Sequence, residues 1–270
     1  MTSPLTAPLR LRFVASSPVK GLAVAERRVA NPRAAVICVH GALDRASAFA
    51  RLARRLDTFD LIAYDRRGYQ GSRALAPLGL EQHIDDLHAL ITRESQHLPV
   101  ILFGHSFGGV VTFGAALREP SQVQLILNYE SPFPWILRRP SSRPALTTDA
   151  KFEAERFFRR VVSDKAWNRL SEPERESRRL DGPALLSDLS TIQQNVAPYD
   201  LAELRVPSTY VYGDGVSADY YRALGAELSK VDPSIAAVEI EHADHSAHLK
   251  NPQQLAALIR DRWDLVCASL

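Results

Sequence analysis

The 270-residue chain has few of the features that mark several common protein classes. Its two cysteines, Cys38 and Cys267, are too few for a disulfide scaffold or a four-cysteine metal site. Lys and Arg number 33 against 31 Asp and Glu, so the formal net charge is only +2. A charge this small attracts nucleic acid weakly, and no nucleic-acid partner is expected.

The sequence also has little that would direct it to a membrane. Residues 1–10 contain two prolines and no apolar core, so they do not resemble a signal peptide, and a cytoplasmic protein is expected. The uncharged stretch from residue 98 to 117 is interrupted by Pro99, His105 and several glycines. This pattern is typical of a buried strand, a turn and a buried helix, and no membrane partner is expected.

Hydrophobic residues make up 46% of the chain and charged residues 24%, which is the composition of a globular protein with a sizeable core. Residues 9–14 and 22–29 are predicted to form an opening pair of strands. Apolar runs typical of buried strands cover residues 34–39, 59–64, 100–103 and 123–129, and two further strands are predicted at 208–212 and 235–240. Segments with helical spacing alternate with them at 45–56, 82–94, 107–117, 218–228 and 252–263. The alternation predicts an α/β fold whose central sheet is mostly parallel and flanked by helices.

The alternation stops between residues 131 and 204, where no strand is predicted. Helix-like segments lie there at 148–163 and 187–196. We therefore expect a core built from residues 1–130 and 205–270, with residues 131–204 forming a helical cap inserted after the sixth strand.

The sharpest motif is Gly104-His105-Ser106-Phe107-Gly108, between an apolar strand and an apolar helix. Small residues two positions before and after a serine suit a tight strand-to-helix turn, because the backbone packs closely there. The turn presents the hydroxyl at a helix N-terminus, where free N–H groups stabilise a developing oxyanion. The motif therefore predicts a nucleophilic serine.

With this motif in place, the sequence resembles the capped serine-hydrolase branch of the α/β-hydrolase superfamily over nearly its whole length. The matching segments are His40-Gly41-Ala42, Asp65-Arg66-Arg67-Gly68, Gly71-Ser72, Gly104 to Gly108, and His245 followed by Pro252. The cap entry Tyr129-Glu130-Ser131-Pro132 and the Arg159-Arg160 region look like a subgroup of poorly characterised bacterial hydrolases.

The resemblance implies a nucleophile elbow at Ser106 and a general base at His245. It also implies an oxyanion hole formed by the backbone N–H groups of Ala42 and Phe107, with Leu43 as the fallback second donor. A serine at this position, rather than an aspartate, argues against haloalkane dehalogenase and epoxide hydrolase chemistry.

The acid of a catalytic triad departs from the common pattern. The usual acid lies about three residues beyond the glycine after the seventh strand, but that position holds Val216. Asp214 comes too early in the loop, and Asp219 falls in the next helix. Glu130, at the end of the sixth strand, is the favoured acid, and Asp214 is the alternative.

Three histidines, His242, His245 and His248, recur at intervals of three residues and raise the possibility of a metal site. The late triad histidine already explains this segment, and no cysteine lies nearby, so neither a metal nor another cofactor is expected. A structural hydrogen bond is expected for His40. Three further histidines are predicted to lie at the surface: His83, His88 and His97.

The predicted cap supplies aromatic side chains that, with Leu43, are expected to line the substrate site: Phe133, Trp135 and Phe158. The alternative is that these side chains form the core of the cap. Its arginines are expected to form a solvated, ion-paired face rather than an anion site. Two i, i+4 pairs support that expectation: Glu155 with Arg159, and Glu174 with Arg178.

These features predict a serine hydrolase that cleaves a small or medium ester, or a related acyl compound, through an acyl-enzyme on Ser106. The same residues are compatible with carbon–carbon bond hydrolysis, lactone opening or acyl transfer. A member of the fold that binds a small molecule without turnover is the alternative from a different class.

Overall fold

The computed structural model describes residues 10–139, 145–194 and 196–269. Its strands form one sheet of eight: β1 (Arg12–Val14), β2 (Val24–Arg27), β3 (Ala35–Val39), β4 (Asp60–Tyr64), β5 (Val100–His105), β6 (Leu125–Tyr129), β7 (Ser208–Gly213) and β8 (Ile235–Ile240). The order is β1-β2-β4-β3-β5-β6-β7-β8, antiparallel where β2 meets β1 and β4 and parallel elsewhere. The predicted α/β fold is confirmed, although residue 9 of its first strand lies outside the described residues.

The α-helices of the described residues are α1 (Ala50–Ala53), α2 (Leu80–Ser95), α3 (Phe107–Arg118), α4 (Ala150–Val161), α5 (Asp164–Arg169), α6 (Glu172–Leu180), α7 (Gly182–Gln193), α8 (Ala218–Val231), α9 (Ala247–Lys250) and α10 (Pro252–Ser269). Four of them, α4 to α7, lie between β6 and β7, within the range for which a helical cap was predicted. We refer to these four helices as the helical insertion. Apolar spacing predicted no helix at α5, α6 or α9, because α5 and α9 are very short and α6 is almost entirely polar.

The predicted helix over residues 45–56 is shorter than expected. A 3-10 turn at Ala46–Phe49 comes first, and only α1 follows it. The uncharged stretch from residue 98 to 117 forms β5, a turn and α3, as predicted. Within the described ranges, no helix is long and apolar enough to cross a bilayer. The expectation that residues 1–10 hold no signal peptide concerns residues outside these ranges, except for Arg10.

Strand register brings the ends of three strands together. His105, the last residue of β5, pairs with Tyr129, the last residue of β6, and Tyr129 pairs in turn with Val211 of β7. Because the carboxyl ends of parallel strands lie on one edge of a sheet, the residues that follow β5, β6 and β7 share that edge. Ser106 and Glu130 are therefore neighbours, although 24 positions separate them in the sequence.

Both faces of the sheet are covered by apolar side chains. One buried cluster includes Leu87 of α2, Val110 of α3 and Leu224 of α8, and it extends without a break to Phe158 and Trp167 of the helical insertion. The other cluster packs α1 and α10 against the opposite face. Such coverage explains why β3, β4, β5 and β6 read as continuous apolar runs.

A buried ion pair ties the helical insertion to the sheet. The Arg66 guanidinium, which follows β4, is fully buried and binds both carboxylate oxygens of Asp188 in α7, at 2.6 and 3.1 Å. Its Nε donates to the carbonyl of His40 at 2.8 Å, and the Tyr69 hydroxyl donates to Asp188 at 2.6 Å. The charge of Arg66 lowers the pKa of Asp188 below its usual range, although burial alone would raise it.

We expect Asp188→Asn to destabilise the protein by about 3–5 kcal/mol, because it leaves the buried Arg66 charge uncompensated. For a chain of this size that loss lowers the melting temperature by about 10 °C. Thermal unfolding followed by circular dichroism measures the change. The double variant Arg66→Met/Asp188→Leu should recover much of the loss, because it removes both charges.

Arg118→Met provides the matched control. Arg118 pairs with Glu81 and Asp85 on the surface, where an ion pair contributes at most about 1 kcal/mol. A similar melting temperature for Asp188→Asn and Arg118→Met would contradict the importance given to the buried pair.

Candidate active site

Ser106 occupies a strained turn between β5 and α3. Its backbone has φ 53° and ψ −127°, and its N–H donates to the carbonyl of Tyr129 at 2.9 Å. The turn needs glycine at position 108, since a β-carbon there would overlap the carbonyl of Val39. The side chain of Ser106 therefore lies at the carboxyl edge of the sheet, beside the N-terminus of α3.

Positive φ angles concentrate at this edge. Leu43 (55°), Ser106 (53°), Glu130 (47°) and His242 (57°) all adopt the left-handed region, which non-glycine residues rarely occupy. Each lies in a loop that follows a strand. Such strain persists only where the surrounding structure enforces it, and it is typical of functional sites.

The structure brings His245 and Glu130 together. His245 Nδ1 lies 2.7 Å from Glu130 Oε2, and the backbone N–H of Gly213 donates to Glu130 Oε1 at 3.1 Å. The Glu130 side chain is 5% exposed, so water competes little for this hydrogen bond. In a neutral imidazole, an Nδ1–H that donates to Glu130 leaves Nε2 as the acceptor nitrogen.

Ser106 Oγ and His245 are not joined by a hydrogen bond in the part of the chain that the structure describes. Their loops are nevertheless in contact. The ring of His105, the residue before Ser106, lies 4.8 Å from the ring of His245, centroid to centroid. His105 Nε2 also lies 2.8 Å from the carbonyl oxygen of His245 and donates to it.

Asp214, the alternative acid, lies elsewhere in the loop. Its two carboxylate oxygens accept the backbone N–H groups of His242 and Ala243 at 2.9 and 3.0 Å. These hydrogen bonds lower the pKa of Asp214. Asp214 therefore shapes the segment before His245, while Glu130 contacts the imidazole. Asp219 pairs with Arg222 on the surface of α8.

The loop after β3 comes close to Ser106. A β-carbon on Gly41 would lie 2.8 Å from the β-carbon of Ser106. His40 holds this loop, because its Nδ1 donates to the carbonyl of Gly41 at 2.7 Å and its Nε2 accepts the N–H of Arg66 at 2.8 Å. Burial and the charge of Arg66 lower the pKa of His40 to about 3, so its ring stays neutral.

The predicted oxyanion donors are free to act. Across the described residues, the N–H groups of Ala42, Leu43 and Phe107 donate to no protein acceptor. Phe107 is the first residue of α3, where an N–H has no partner within the helix. The loop after β3 and the start of α3 can therefore both offer a donor beside Ser106.

Asp44, His105 and His248 form a second cluster of polar side chains, next to Ser106 in the sequence through His105. His248 Nε2 lies 2.9 Å from Asp44 Oδ2, and His105 Nδ1 lies 3.8 Å from the same oxygen. Burial would raise the pKa of Asp44, but the hydrogen bond from His248 opposes burial, and the pKa lies below its usual range. Burial and the two neighbouring histidines, His248 and His245, lower the pKa of His105.

Asp44, His105 and His248 are also the group of described residues whose geometry comes nearest to a metal site, with one ligand atom from each within 4.8 Å of the others. The spacing pattern of the sequence suggested a different set. Of its three histidines, His242 is exposed and His245 faces Glu130, so only His248 belongs to this group.

The predicted substrate-binding side chains fall into different environments. Phe133 is fully buried and stacks on Phe113, 5.3 Å between ring centroids, which favours a packing role. Trp135 packs edge-on against Phe133 and lines a groove of about 450 Å³. The other residues of that groove are Ile136, Ala197, Tyr199, Asp200, Leu201 and Val231, and Ser106 is not among them.

Phe158 and Leu43 both contact Arg178. Phe158 is buried against Trp167, and the guanidinium of Arg178 covers its ring at 4.9 Å. Arg178 Nη1 also donates to the carbonyl of Leu43 at 2.7 Å. The expected Glu174–Arg178 pair is therefore wrong: Glu174 instead forms a capping box with Ser171. The expected Glu155–Arg159 pair is confirmed at 2.7 Å.

The predicted surface position of His83 is also wrong. It was predicted at the surface, but it is 1% exposed and lies 3.3 Å from Asp188. The apolar face of α2 carried a signal, because His83 lies four residues before Leu87, a buried residue of that face. No comparable signal marked Asp44 or His248, which are 204 positions apart and meet only in the folded chain.

Comparison with known proteins agrees with this architecture. A family model described as "Alpha/beta hydrolase family" matches residues 36–258. The chain is 32% identical to Lipase LipV of Mycobacterium tuberculosis over 94 residues, which cover 35% of this chain and 36% of that protein. It is 28% identical to a monoacylglycerol lipase of Mycolicibacterium smegmatis over 99 residues, or 34% of this chain and 35% of that protein. These matches span about a third of each relative.

Solved structures show the same fold. An alpha/beta hydrolase from Sphaerobacter thermophilus superposes with a TM-score of 0.68 at 24% identity, covering 93% of this chain and 100% of the other. A lipase-esterase related protein from Clostridium acetobutylicum gives 0.64 at 18% identity, covering 89% and 99%. Because the family model spans most of the sequence and the sheet has the expected topology, the chain belongs to the alpha/beta hydrolase family.

Proposed function

We propose that the protein is a serine hydrolase that cleaves a small or medium ester, or a related acyl compound, through an acyl-enzyme on Ser106. The observation that carries this proposal is the 2.7 Å contact between His245 Nδ1 and the buried Glu130, beside a serine on a strained turn. A nucleophile, a base and an orienting acid in this arrangement suit acyl transfer.

In the proposed mechanism, the Ser106 hydroxyl gives its proton to His245 Nε2 while Oγ attacks the carbonyl carbon. Glu130 holds the Nδ1–H and stabilises the imidazolium as it forms. The N–H of Phe107, with that of Ala42 or Leu43, stabilises the oxyanion. His245 then protonates the leaving group, and a water molecule activated by the same imidazole hydrolyses the acyl-enzyme.

The hydrogen bond between Ser106 and His245 that this mechanism requires is expected to form with substrate. Catalytic hydrogen bonds commonly become well aligned only in the substrate complex. The His245 side chain is 28% exposed, which leaves it room to adjust, whereas Glu130 is fixed by Gly213.

The helical insertion is proposed to act as the cap of this site. Arg178 of α6 contacts the loop after β3. Asp188 of α7 binds Arg66, which donates to the carbonyl of His40 in the same loop. The insertion thus lies next to the residues assigned to the oxyanion hole. A small-molecule acyl substrate is the partner proposed here.

Ser106→Ala should abolish nearly all hydrolysis of p-nitrophenyl esters, because it removes the nucleophile, and it should leave the melting temperature nearly unchanged. Labelling with a fluorophosphonate provides the second measurement: one equivalent should attach to the wild-type protein, at Ser106. An unlabelled Ser106, or substantial turnover by Ser106→Ala, would refute the mechanism. An inert Ser106 would favour a member of the fold that binds a small molecule without turnover.

Glu130→Gln should lower the turnover number by about 10³–10⁴, because the imidazole loses the partner that fixes its tautomer and stabilises its positive charge. Asp214→Asn is the matched control, since it also replaces one carboxylate by an amide in the same region. We expect it to retain most of the wild-type rate, because among the described residues the Asp214 side chain binds the backbone of residues 242 and 243 and not the His245 ring. Turnover on p-nitrophenyl butyrate measures both. The opposite ranking would assign the acid to Asp214.

A further inference from the structure

Two arginines approach the loop that carries the proposed oxyanion donors. Arg45 belongs to the same loop as Asp44. The Asp44 carboxylate accepts the backbone N–H of Arg45 at 2.9 Å, not its guanidinium. Arg178 reaches the loop from α6 and donates Nη1 to the carbonyl of Leu43 at 2.7 Å. Because Leu43 follows Ala42 directly, the guanidinium of Arg178 contacts the loop that is proposed to form the oxyanion hole.

These two guanidinium groups lack the carboxylate partners that neighbouring arginines have. Four arginines of α4 and α6 form ion pairs with glutamates of the same helices: Arg156, Arg159, Arg175 and Arg179. For Arg45 and Arg178, no carboxylate oxygen of the described residues lies within 4.0 Å. Arg45 Nε, Arg45 Nη2 and Arg178 Nε are buried without an acceptor.

The acids nearest to this pair are already engaged. Three acids are close enough to raise the pKa of Arg178, but each of them binds another group. Asp44 binds His248, Asp181 binds Arg73, and Glu174 binds Ser171. The positive charge of the two guanidiniums is therefore compensated only at a distance. An additional anion at this position would find donors that no protein group occupies.

The environment of Arg178 favours a bound anion. Burial, followed by the positive charge of Arg45, lowers the pKa of Arg178 to about 10, so the group stays protonated at neutral pH. Phe158 supports one face of the guanidinium at 4.9 Å, which leaves the edge of the group for hydrogen bonds. Such an edge matches the two oxygens of a carboxylate.

We propose that Arg45 and Arg178 bind a carboxylate at the far end of the acyl group, so that the preferred substrates are half-esters of dicarboxylic acids. This proposal rests on the proposed function of Ser106. The carboxylate takes no part in the bond changes: Ser106 attacks the ester carbonyl, and the second carboxylate only orients the acyl chain. The site would thus select substrates by charge as well as by length.

The test compares mono-p-nitrophenyl adipate with p-nitrophenyl hexanoate, two esters of equal acyl length that differ in the terminal carboxylate. The measured quantity is the ratio of kcat/KM for adipate to that for hexanoate, after subtraction of spontaneous hydrolysis. We expect a wild-type ratio of about ten or more, because hydrogen bonds between charged groups contribute that much. A ratio of one or below would overturn the proposal.

Arg45→Gln and Arg178→Gln should each lower this ratio about tenfold, mainly through KM for adipate, and Arg178→Lys should retain part of the preference. Arg179→Gln is the matched control. It removes the same charge from the same helix, but Glu155 and Glu172 already neutralise that charge. Its ratio should equal that of the wild type. Equal losses on both esters in Arg178→Gln would show that Arg178 only orders the loop, and would overturn the proposal.

Binding separates failure of this proposal from failure of the proposed function. Mono-p-nitrophenyl adipate should bind Ser106→Ala in calorimetry more tightly than p-nitrophenyl hexanoate does, and Arg178→Gln in the same background should remove the difference. If neither ester is hydrolysed, the hydrolase function fails, yet preferential adipate binding would still support the arginine site. If hexanoate is hydrolysed and adipate shows no preference in rate or binding, only the arginine site fails.

Discussion

The buried pair between Arg66 and Asp188 holds together parts of the chain that are far apart in sequence. Arg66 binds the carbonyl of His40 on one side and Asp188 of the helical insertion on the other. Its backbone N–H also fixes the ring of His40, which in turn holds the carbonyl of Gly41. The position of the loop beside Ser106 thus depends on a charge that the insertion must neutralise.

This dependence gives the helical insertion a structural part in the site. A buried arginine without a partner is strongly unfavourable, so α7 and the loop after β3 are expected to form together. Arg178 adds a second connection from α6, through the carbonyl of Leu43. The proposed cap and the proposed oxyanion hole are therefore joined by one network of contacts, and a structural change in one is expected to shift the other.

Behind the proposed triad, a histidine cluster connects the loops that carry its members. His105, the last residue of β5, directly precedes Ser106 and donates to the carbonyl of His245, while His248 binds Asp44 in the loop after β3. Three chain segments thus meet at one buried point. Leu43 and Ser106, which have positive φ angles, lie in two of these segments, and such strain persists only where the surrounding structure enforces it.

The sequence by itself determined the sheet, the serine turn and the helical insertion, because apolar periodicity and small residues around a tight turn are local signals. It also limited the candidates for the proposed triad acid to Glu130 and Asp214. Only the tertiary structure placed Glu130 against His245, buried His83 and left Arg178 without Glu174. These outcomes depend on strand register and on side chains that meet across more than a hundred residues, where spacing along the chain carries no information.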